Sequence, residues 1–327
     1  MSRSSGSSLF TWTLVLLSSV SLSLAQKGQN LPPHPADPYA DPQNDIYNPL
    51  RYIASNTLTA ISFALVMIVA LAQTFFLWRK GGRFMLSMII ACYTFAIGLA
   101  LRFGLHAQPE SKGIYIAEYL FVVLSPCGFI AANYVLLGRI SRWVRGDDHL
   151  WISPRRITLV FVMSDVVTFL IQAAGGATST SNDPQVALTG AHIFLAGLAL
   201  QLASFVVFSV LYVRFLFRVS KYSPSAWTQD SSLPWYRDWR SLATALIVSC
   251  IGILIRSVYR TIELSEGYHG KLATTESYFY GLDTLPLFLA IAIYVPFWPG
   301  RYLPDVDALK EMEMEAQRGS TGSEEEK

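Results

Sequence analysis

Seven long apolar segments constrain this chain more than any other feature of its sequence. Each is close to the 20 mostly apolar residues that an α-helix needs to cross a bilayer. They lie at 53–77, 84–105, 115–138, 157–178, 190–214, 242–263 and 276–297. The composition agrees, because only 15% of the 327 residues are charged, against about 25% in typical soluble domains. The sequence therefore predicts an all-α membrane protein, a bundle of seven transmembrane helices.

The two ends of the chain differ from this apolar part. Residues 1–25 combine Arg3, a serine-broken apolar run and the small residues Ser23 and Ala25, which predicts a cleaved signal peptide; an uncleaved first helix is the alternative. Residues 26–52 are rich in Pro and Asp and predict an extended, non-helical extracellular segment. Residues 298–327 end in an acidic run without aromatic residues, which predicts a disordered cytoplasmic tail.

The basic residues predict the orientation of the bundle, since short loops rich in Lys and Arg stay on the cytoplasmic side. Thirteen of them flank or lie in the loops after the first, third and fifth spans, whereas the alternating loops contain only Lys112 and Lys271. The N-terminus is therefore expected outside and the C-terminus in the cytoplasm.

Several function classes lack support in the sequence. The net charge is only +2, so no nucleic-acid partner is expected. The three cysteines lie inside apolar runs without disulfide or metal spacing, and no phosphate-binding loop for ATP occurs. We expect no cofactor, no metal and no enzyme activity, and any uphill transport must use a proton gradient or a partner. The oligomeric state stays open.

Charged residues at the ends of the last two spans are the first candidates for function, because ionisable groups in a membrane are costly unless paired or hydrated. The candidates are Arg256, Arg260 and Glu263 in the sixth span and Glu276, Tyr280 and Asp283 in the seventh. Both sets follow i, i+4, i+7 spacing, so each shares one helical face. Arg256 and Asp283 both lie about 10 Å from the outer end of their helices. We expect Arg256 to pair with Asp283, and Arg260 to be shared by Glu263 and Glu276; a purely structural role in helix packing is the alternative.

A second group of polar residues lies in the third to fifth spans. Asp165 is nearer the cytoplasmic half of its helix, and Gln172 follows seven residues later on the same face. Gln201 is near the middle of the fifth span. Pro126, inside the third span, predicts a bend that frees backbone groups for other contacts. The sequence thus predicts a polar, charge-compensated chamber in the outer half of the bundle and a drier inner half.

Five motifs carry a resemblance to a known family. They are SPCGFIAANYVLLGR (125–139), SDVVTFLIQAAGG (164–176), GLALQ (197–201), RSVYRTIELSEG (256–267) and ESYFYGLDTLP (276–286). In this order they resemble the fungal lipid-translocating exporter family, also called the 7-aminocholesterol-resistance or Rta-like family. The resemblance implies a seven-spanning fungal protein; some members are implicated in release of sphingoid long-chain bases, others in resistance to toxic amphiphiles or in porphyrin uptake. Family positions fall on Asp165, Gln172, Gly175, Gly176, Gln201, Arg256, Tyr259, Arg260, Glu263, Glu276 and Asp283.

The second span departs from the family pattern. The family usually has Glu-x-x-Gly-Tyr-x-x-Arg there, whereas this chain has Phe95 and Leu99 in place of the acid and the tyrosine. Gly98 and Arg102 are retained. The resemblance therefore implies that Arg102 has lost a partner and that the substrate differs from that of better-known members.

Three functions compete on this basis. The leading hypothesis is a transporter of lipids or amphiphiles such as sphingoid bases, linked to resistance to toxic amphiphiles. It is expected in the plasma membrane, with a vacuolar or other endomembrane as the alternative. The intramembrane acids exceed the bases by two, which favours an aminated headgroup, and Asp165 is the candidate to bind the headgroup or a proton. A seven-span receptor or sensor of membrane lipids is the alternative, although LLGR and the absence of Asn-Pro-x-x-Tyr argue against the common receptor motifs. A zinc hydrolase is the third, and the five histidines include no i, i+4 pair.

Overall fold

A computed structural model describes residues 37–144, 154–179, 181, 183–228, 234–267 and 270–303. The predicted signal peptide and residues 304–327 of the predicted acidic tail lie outside this part of the chain. The described residues form helices and turns, with no strand among them. Residues 37–55, which belong to the predicted extracellular segment and the start of the first span, form turns rather than a helix.

Six helices are long and apolar enough to cross a membrane. They are α1 (Asn56–Lys80), α2 (Leu86–Ala107), α3 (Lys112–Trp143), α4 (Pro154–Ser179), α5 (Pro184–Tyr222) and α6 (Trp239–Glu266). The chain is therefore a multi-pass helical membrane protein. The helices begin and end at ordinary signals: Asp183 and Asp238 cap α5 and α6 by accepting backbone N–H bonds, and Gly267, with φ of 82°, ends α6.

The helical segment that follows α6, α7, consists of three consecutive pieces. They are the α-helical Glu276–Tyr278, the π-helical Phe279–Thr284 and the α-helical Leu285–Ala292. The segment is shorter than the predicted span 276–297, because i→i−3 bonds by Tyr294 and Val295 tighten the chain before Pro296, which cannot continue a helix.

Further differences from the predicted bounds are largest at α5 and at the tail. The fifth span was expected at 190–214, yet α5 continues to Tyr222, so the connection to the sixth span is shorter than predicted. Hydropathy marks only the apolar part of a helix, and α5 extends beyond that part. The tail was expected to be disordered from residue 298. Instead Trp298 is fully buried and its indole N–H donates to the Gly81 carbonyl at 3.0 Å.

The helices pack in chain order, and α7 returns to α1 and closes the bundle. α3 also contacts α6, which places it at the centre. Glycines bring α4 and α5 unusually close: a Cβ on Gly190 would lie 2.3 Å from the Ser179 nitrogen, and one on Gly175 would lie 2.4 Å from the Phe194 nitrogen. Gly175 therefore serves the close packing of α4 against α5.

The two ends of the bundle differ in chemistry. At the end of the bundle where α3 finishes, the core is aromatic. The rings of Tyr134, Phe161, Phe205 and Phe208 pack there with 4.5 to 6.3 Å between the centroids of contacting rings. The opposite end, where α2 and α6 finish and α3 and α7 begin, is charged. The fold therefore has the division between a polar and a drier part that the sequence predicts.

Candidate functional site

Seven ionisable side chains from four helices meet at the end of the bundle where α6 finishes and α7 begins. This charged cluster consists of Arg102, Glu118, Arg256, Arg260, Glu263, Glu276 and Asp283. Three guanidinium groups therefore face four carboxyl groups. Apart from Glu263 and Glu276, which are partly exposed, these side chains are buried.

Asp283 is the centre of the α6–α7 half of the cluster. Its Oδ1 accepts a hydrogen bond from Arg256 Nε at 2.9 Å and from Arg260 Nε at 2.7 Å. Arg260 Nη1 also donates to Glu263 Oε2 at 2.9 Å. The predicted pairing of Arg256 with Asp283 and of Arg260 with Glu263 is confirmed. Tyr259 lies beside this half and donates to Glu263 or to the Leu272 carbonyl.

A proline in α3 supplies the remaining contact of Arg256. Pro126 has no N–H, so the carbonyl of Val122, four residues earlier, lacks its backbone hydrogen bond and within the helix accepts only from the Ser125 hydroxyl, at 3.2 Å. Arg256 Nη2 donates to that carbonyl at 2.8 Å. The expectation that Pro126 frees a backbone group for another contact is confirmed. The hydrogen bond from Arg256 to Val122 joins α6 to the centre of α3.

The predicted pairing of Arg260 with Glu276 is wrong. Glu276 instead accepts from the Ser55 backbone N–H at 2.7 Å and from Arg102 at 3.4 Å. The cause is the π-helical segment, in which the Leu285 N–H bonds to the Tyr280 carbonyl five residues back. A π-helical turn contains an extra residue, so Glu276 and Asp283 no longer share the face that α-helical spacing predicts.

The inference that Arg102 has lost a partner is also wrong. Its guanidinium donates to Glu118 Oε1 at 3.1 Å, Glu276 Oε1 at 3.4 Å, Tyr280 Oη at 3.2 Å and Tyr52 Oη at 3.0 Å. Acids on α3 and α7 thus replace the acid that the family usually has in the second span. Tyr280, expected beside Asp283, belongs to this half of the cluster and also bonds to Thr59 at 2.8 Å.

The segment before α1 covers the charged cluster, which sequence reasoning missed. Tyr52 bonds to Arg102, and the Tyr39 hydroxyl bonds to the carbonyls of His106 and Ala107 at 3.1 Å each. Burial raises the pKa of Tyr52 above its ordinary value of 10.0, although Arg102 acts in the opposite direction, so the phenol stays neutral. The only sequence signal was the concentration of tyrosines in an otherwise Pro- and Asp-rich segment.

A second polar group lies between α3, α4 and α5. Gln172 Nε2 donates to Gln201 Oε1 at 2.8 Å, and Gln201 Nε2 contacts Cys127 Sγ at 3.3 Å. Gly197 permits this approach, because a Cβ there would lie 2.9 Å from the Gln172 side chain. The structure therefore brings the two predicted glutamines together, and Cys127 is an addition that the sequence did not indicate.

Asp165 lies on the same face of α4 and is 95% buried. No described residue donates a hydrogen bond to either carboxylate oxygen. The Tyr134 hydroxyl of α3 lies close to Asp165 and to Ser204 of α5 and interacts with both, but neither contact is as short and well aligned as an ordinary hydrogen bond. Asp165 is thus the one predicted site carboxylate that lacks an arginine.

The two polar groups are continuous. Cys127 lies within electrostatic reach of both Arg256 and Asp165. We call the row formed by Cys127, Tyr134, Asp165, Gln172 and Gln201 the polar stripe. It extends the charged cluster into the interior of the bundle, so a charged group could find polar partners over much of that length.

The side chains of the charged cluster and the polar stripe suit an organic headgroup better than a metal ion. Within the described residues, no group of three His, Cys, Asp or Glu side chains is placed to hold a metal ion. The carboxyl groups of the charged cluster are engaged by arginines, whereas in the polar stripe both Asp165 oxygens and Gln172 Oε1 accept no hydrogen bond from the described residues. This arrangement can bind a cation that carries N–H donors.

Comparisons with known proteins agree with the motifs. The chain is 31% identical to Protein RTA1 of Saccharomyces cerevisiae over 71% of this chain and 70% of that protein. It is 29% identical to Protoporphyrin uptake protein 1 of the same yeast over 67% of this chain and 69% of that protein. It is 27% identical to the Sphingoid long-chain base transporter RSB1, over 62% of this chain and 61% of that protein.

No solved structure matches the chain. The model of the family described as RTA1 like protein matches residues 88–305, a range that includes α3 to α7 and nearly all of α2. The charged cluster and the polar stripe lie entirely within it. The chain therefore belongs to the RTA1-like protein family.

Proposed function

We propose that this protein moves lipids or lipid-like amphiphiles across a fungal membrane. The observation that carries the proposal is the polar stripe, a buried row of polar side chains that continues the charged cluster inside an otherwise apolar bundle. Buried ionisable groups within membrane helices mark substrate or ion pathways by default. The names of two relatives, a sphingoid long-chain base transporter and a protoporphyrin uptake protein, support transport of amphiphiles.

We infer seven membrane spans, with the N-terminus outside and the C-terminus in the cytoplasm. α7 would be the seventh span, shorter than usual and continued by the turns before Pro296. The uneven distribution of basic residues supports this orientation. It places the charged cluster in the outer half of the membrane, at the plasma membrane or at an endomembrane.

The orientation can be tested with two exposed lysines at opposite ends of the bundle. In intact cells, an impermeant maleimide should label the variant Lys112→Cys but not Lys80→Cys, which should react only after permeabilisation. Both side chains are exposed, and the native cysteines are buried or half-buried, so the unsubstituted protein gives the background. The opposite labelling pattern would reverse the proposed orientation.

In the proposed path the headgroup follows the polar stripe while the apolar tail stays in the lipid. The carboxyl groups of the charged cluster and Asp165 exceed the guanidinium groups by two, which favours a cationic headgroup. Asp165 is the natural partner because, unlike Asp283, it is engaged by none of the described arginines. Removal of toxic amphiphiles by this path would confer resistance to them.

The change Asp165→Asn tests the proposal in cells. We expect release of a sphingoid long-chain base to fall at least about tenfold, because the loss of a charge partner exceeds 1.4 kcal/mol. Surface expression should stay normal, since no described residue depends on Asp165 for a side-chain ion pair. The measurement is export of labelled base from loaded cells.

The matched control is Asp183→Asn, the same chemical change at the exposed cap of α5, where asparagine caps equally well. It should export as the unchanged protein does. Normal export by the Asp165→Asn variant would remove Asp165 from the mechanism. A cellular response to added lipid without any export by the unchanged protein would instead support a sensor.

A further inference from the structure

Asp165 and Tyr134 form an acceptor site to which the described part of the chain brings no counter-charge. The site has three oxygen atoms, the two carboxylate oxygens of Asp165 and the hydroxyl oxygen of Tyr134, and none of them receives a hydrogen bond from the described chain. Both side chains are at least nine-tenths buried. They lie on neighbouring helices, α4 and α3, that pack directly against each other.

The helices packed against α4 supply no positive charge to this site. From α3 the titratable groups that face Asp165 are Tyr134 and Cys127. From α5 the nearby polar groups are Gln201 and Ser204, whereas His192 and Arg214 of that helix are exposed. The nearest part of the charged cluster, Arg256, is already engaged by Asp283 and by the Val122 carbonyl.

The ring of Tyr134 is held rigidly. It contacts Phe161, Phe205 and Phe208 at centroid distances of 5.3, 6.3 and 4.5 Å. Its hydroxyl therefore cannot swing away to another partner without displacing aromatic packing. The three acceptors match the three N–H donors of a primary ammonium group.

An ionised carboxylate inside a bundle, with no basic partner and no donor at full hydrogen-bond geometry among the described residues, needs a cation to accompany it. We propose that this cation is either a proton or the ammonium group of an amphiphile, one at a time, so that the protein exchanges protons for primary ammonium headgroups. This inference rests on the proposed transport function and specifies its substrate class and coupling ion.

The exchange balances in charge and atoms. In the empty site Asp165 is a neutral carboxylic acid. When the protonated amine binds, the O–H bond of that acid breaks, the proton leaves to water, and the carboxylate accepts N–H bonds from the ammonium group. The reverse step returns a proton to Asp165 as the amine departs. Net movement of amine one way then accompanies movement of a proton the other way.

The exchange can be measured as proton release on binding. The purified full chain in nanodiscs of zwitterionic lipid is titrated with dodecylamine, by calorimetry in two buffers of different ionisation enthalpy. We expect about one proton released per bound amine, and apparent affinity that rises up to about tenfold per pH unit where the empty site is protonated. Dodecanol, with the same chain and no charge, should release none.

Variants separate the exchange from folding and from transport. Asp165→Asn should abolish the Asp165-dependent binding and the proton release, Asp165→Glu should retain both, and Tyr134→Phe should bind more weakly but still release a proton. Amine binding that depends on Asp165 without proton release would overturn the exchange and leave the transport proposal intact. No Asp165-dependent binding would overturn both. Proton release without flux in proteoliposomes would support the exchange site and contradict transport.

Discussion

Changing Asp283 to asparagine is expected to destabilise the protein by roughly 3–5 kcal/mol, the range for breaking a buried ion pair. Asp283 is fully buried and compensates both Arg256 and Arg260. Its amide would leave two guanidinium groups without a shared counter-charge. The measurement is thermal unfolding of the purified protein in detergent, followed by tryptophan fluorescence.

The matched control is Glu263→Gln, the same acid-to-amide change in the same cluster. Glu263 is 14% exposed, and within the described residues its one ion pair is with Arg260, which would keep Asp283. We expect a loss of about 1 kcal/mol there, as for a single hydrogen bond. Equal destabilisation by the two variants would contradict the central position of Asp283.

Changing Arg102 to lysine is expected to cost about 3 kcal/mol, although the charge is retained. The guanidinium reaches four oxygen atoms on three parts of the chain: the segment before α1, α3 and α7. It also lies 4.1 Å from the centre of the Phe279 ring. An ammonium group is a compact point charge and cannot reproduce these directions.

The loss of stability in the Arg102→Lys variant should be accompanied by loosening of the segment before α1, because Arg102 holds that segment over the charged cluster. Trypsin should cleave after Arg51 faster in the Arg102→Lys variant than in the unchanged protein, with the fragments identified by mass spectrometry. Arg79→Lys, at an exposed position of α1, is the control. Unchanged cleavage after Arg51, together with unchanged thermal stability, would show that the contacts of Arg102 are dispensable.

The sequence predicts the α6–α7 ion pair well, for a physical reason. Helical periodicity places Arg256 and Arg260 on one face, and the short loop after α6 makes α7 its neighbour at matching depth. These arguments need only helix geometry and membrane thickness. They were sufficient for the pairing of Arg256 with Asp283.

The partner of Glu276 was not predictable by the same arguments. The π-helical segment changes the helical register between Glu276 and Asp283, and nothing in the periodicity of the sequence marks such an insertion. The contact of Arg102 with Tyr52 was also hidden, because it joins α2 to a non-helical segment about 50 residues away. Non-local contacts of irregular segments leave no spacing pattern.

The candidate role of Asp165 depends on information from the sequence and from the structure. The sequence places a carboxylate inside an apolar helix with Gln172 on the same face. Its isolation from the arginines became visible only in the structure, since it depends on the positions of three packed helices. Tyr134 gave no sequence signal, because a tyrosine within an aromatic core is ordinary.

The most direct test of this account is flux in proteoliposomes that contain only this protein. The initial rate of transfer of a fluorescent long-chain base is compared with protein-free liposomes, with and without a pH gradient. We predict protein-dependent flux that the pH gradient accelerates and that Asp165→Asn abolishes. Flux equal to that of protein-free liposomes, or flux unchanged by Asp165→Asn, would contradict the account.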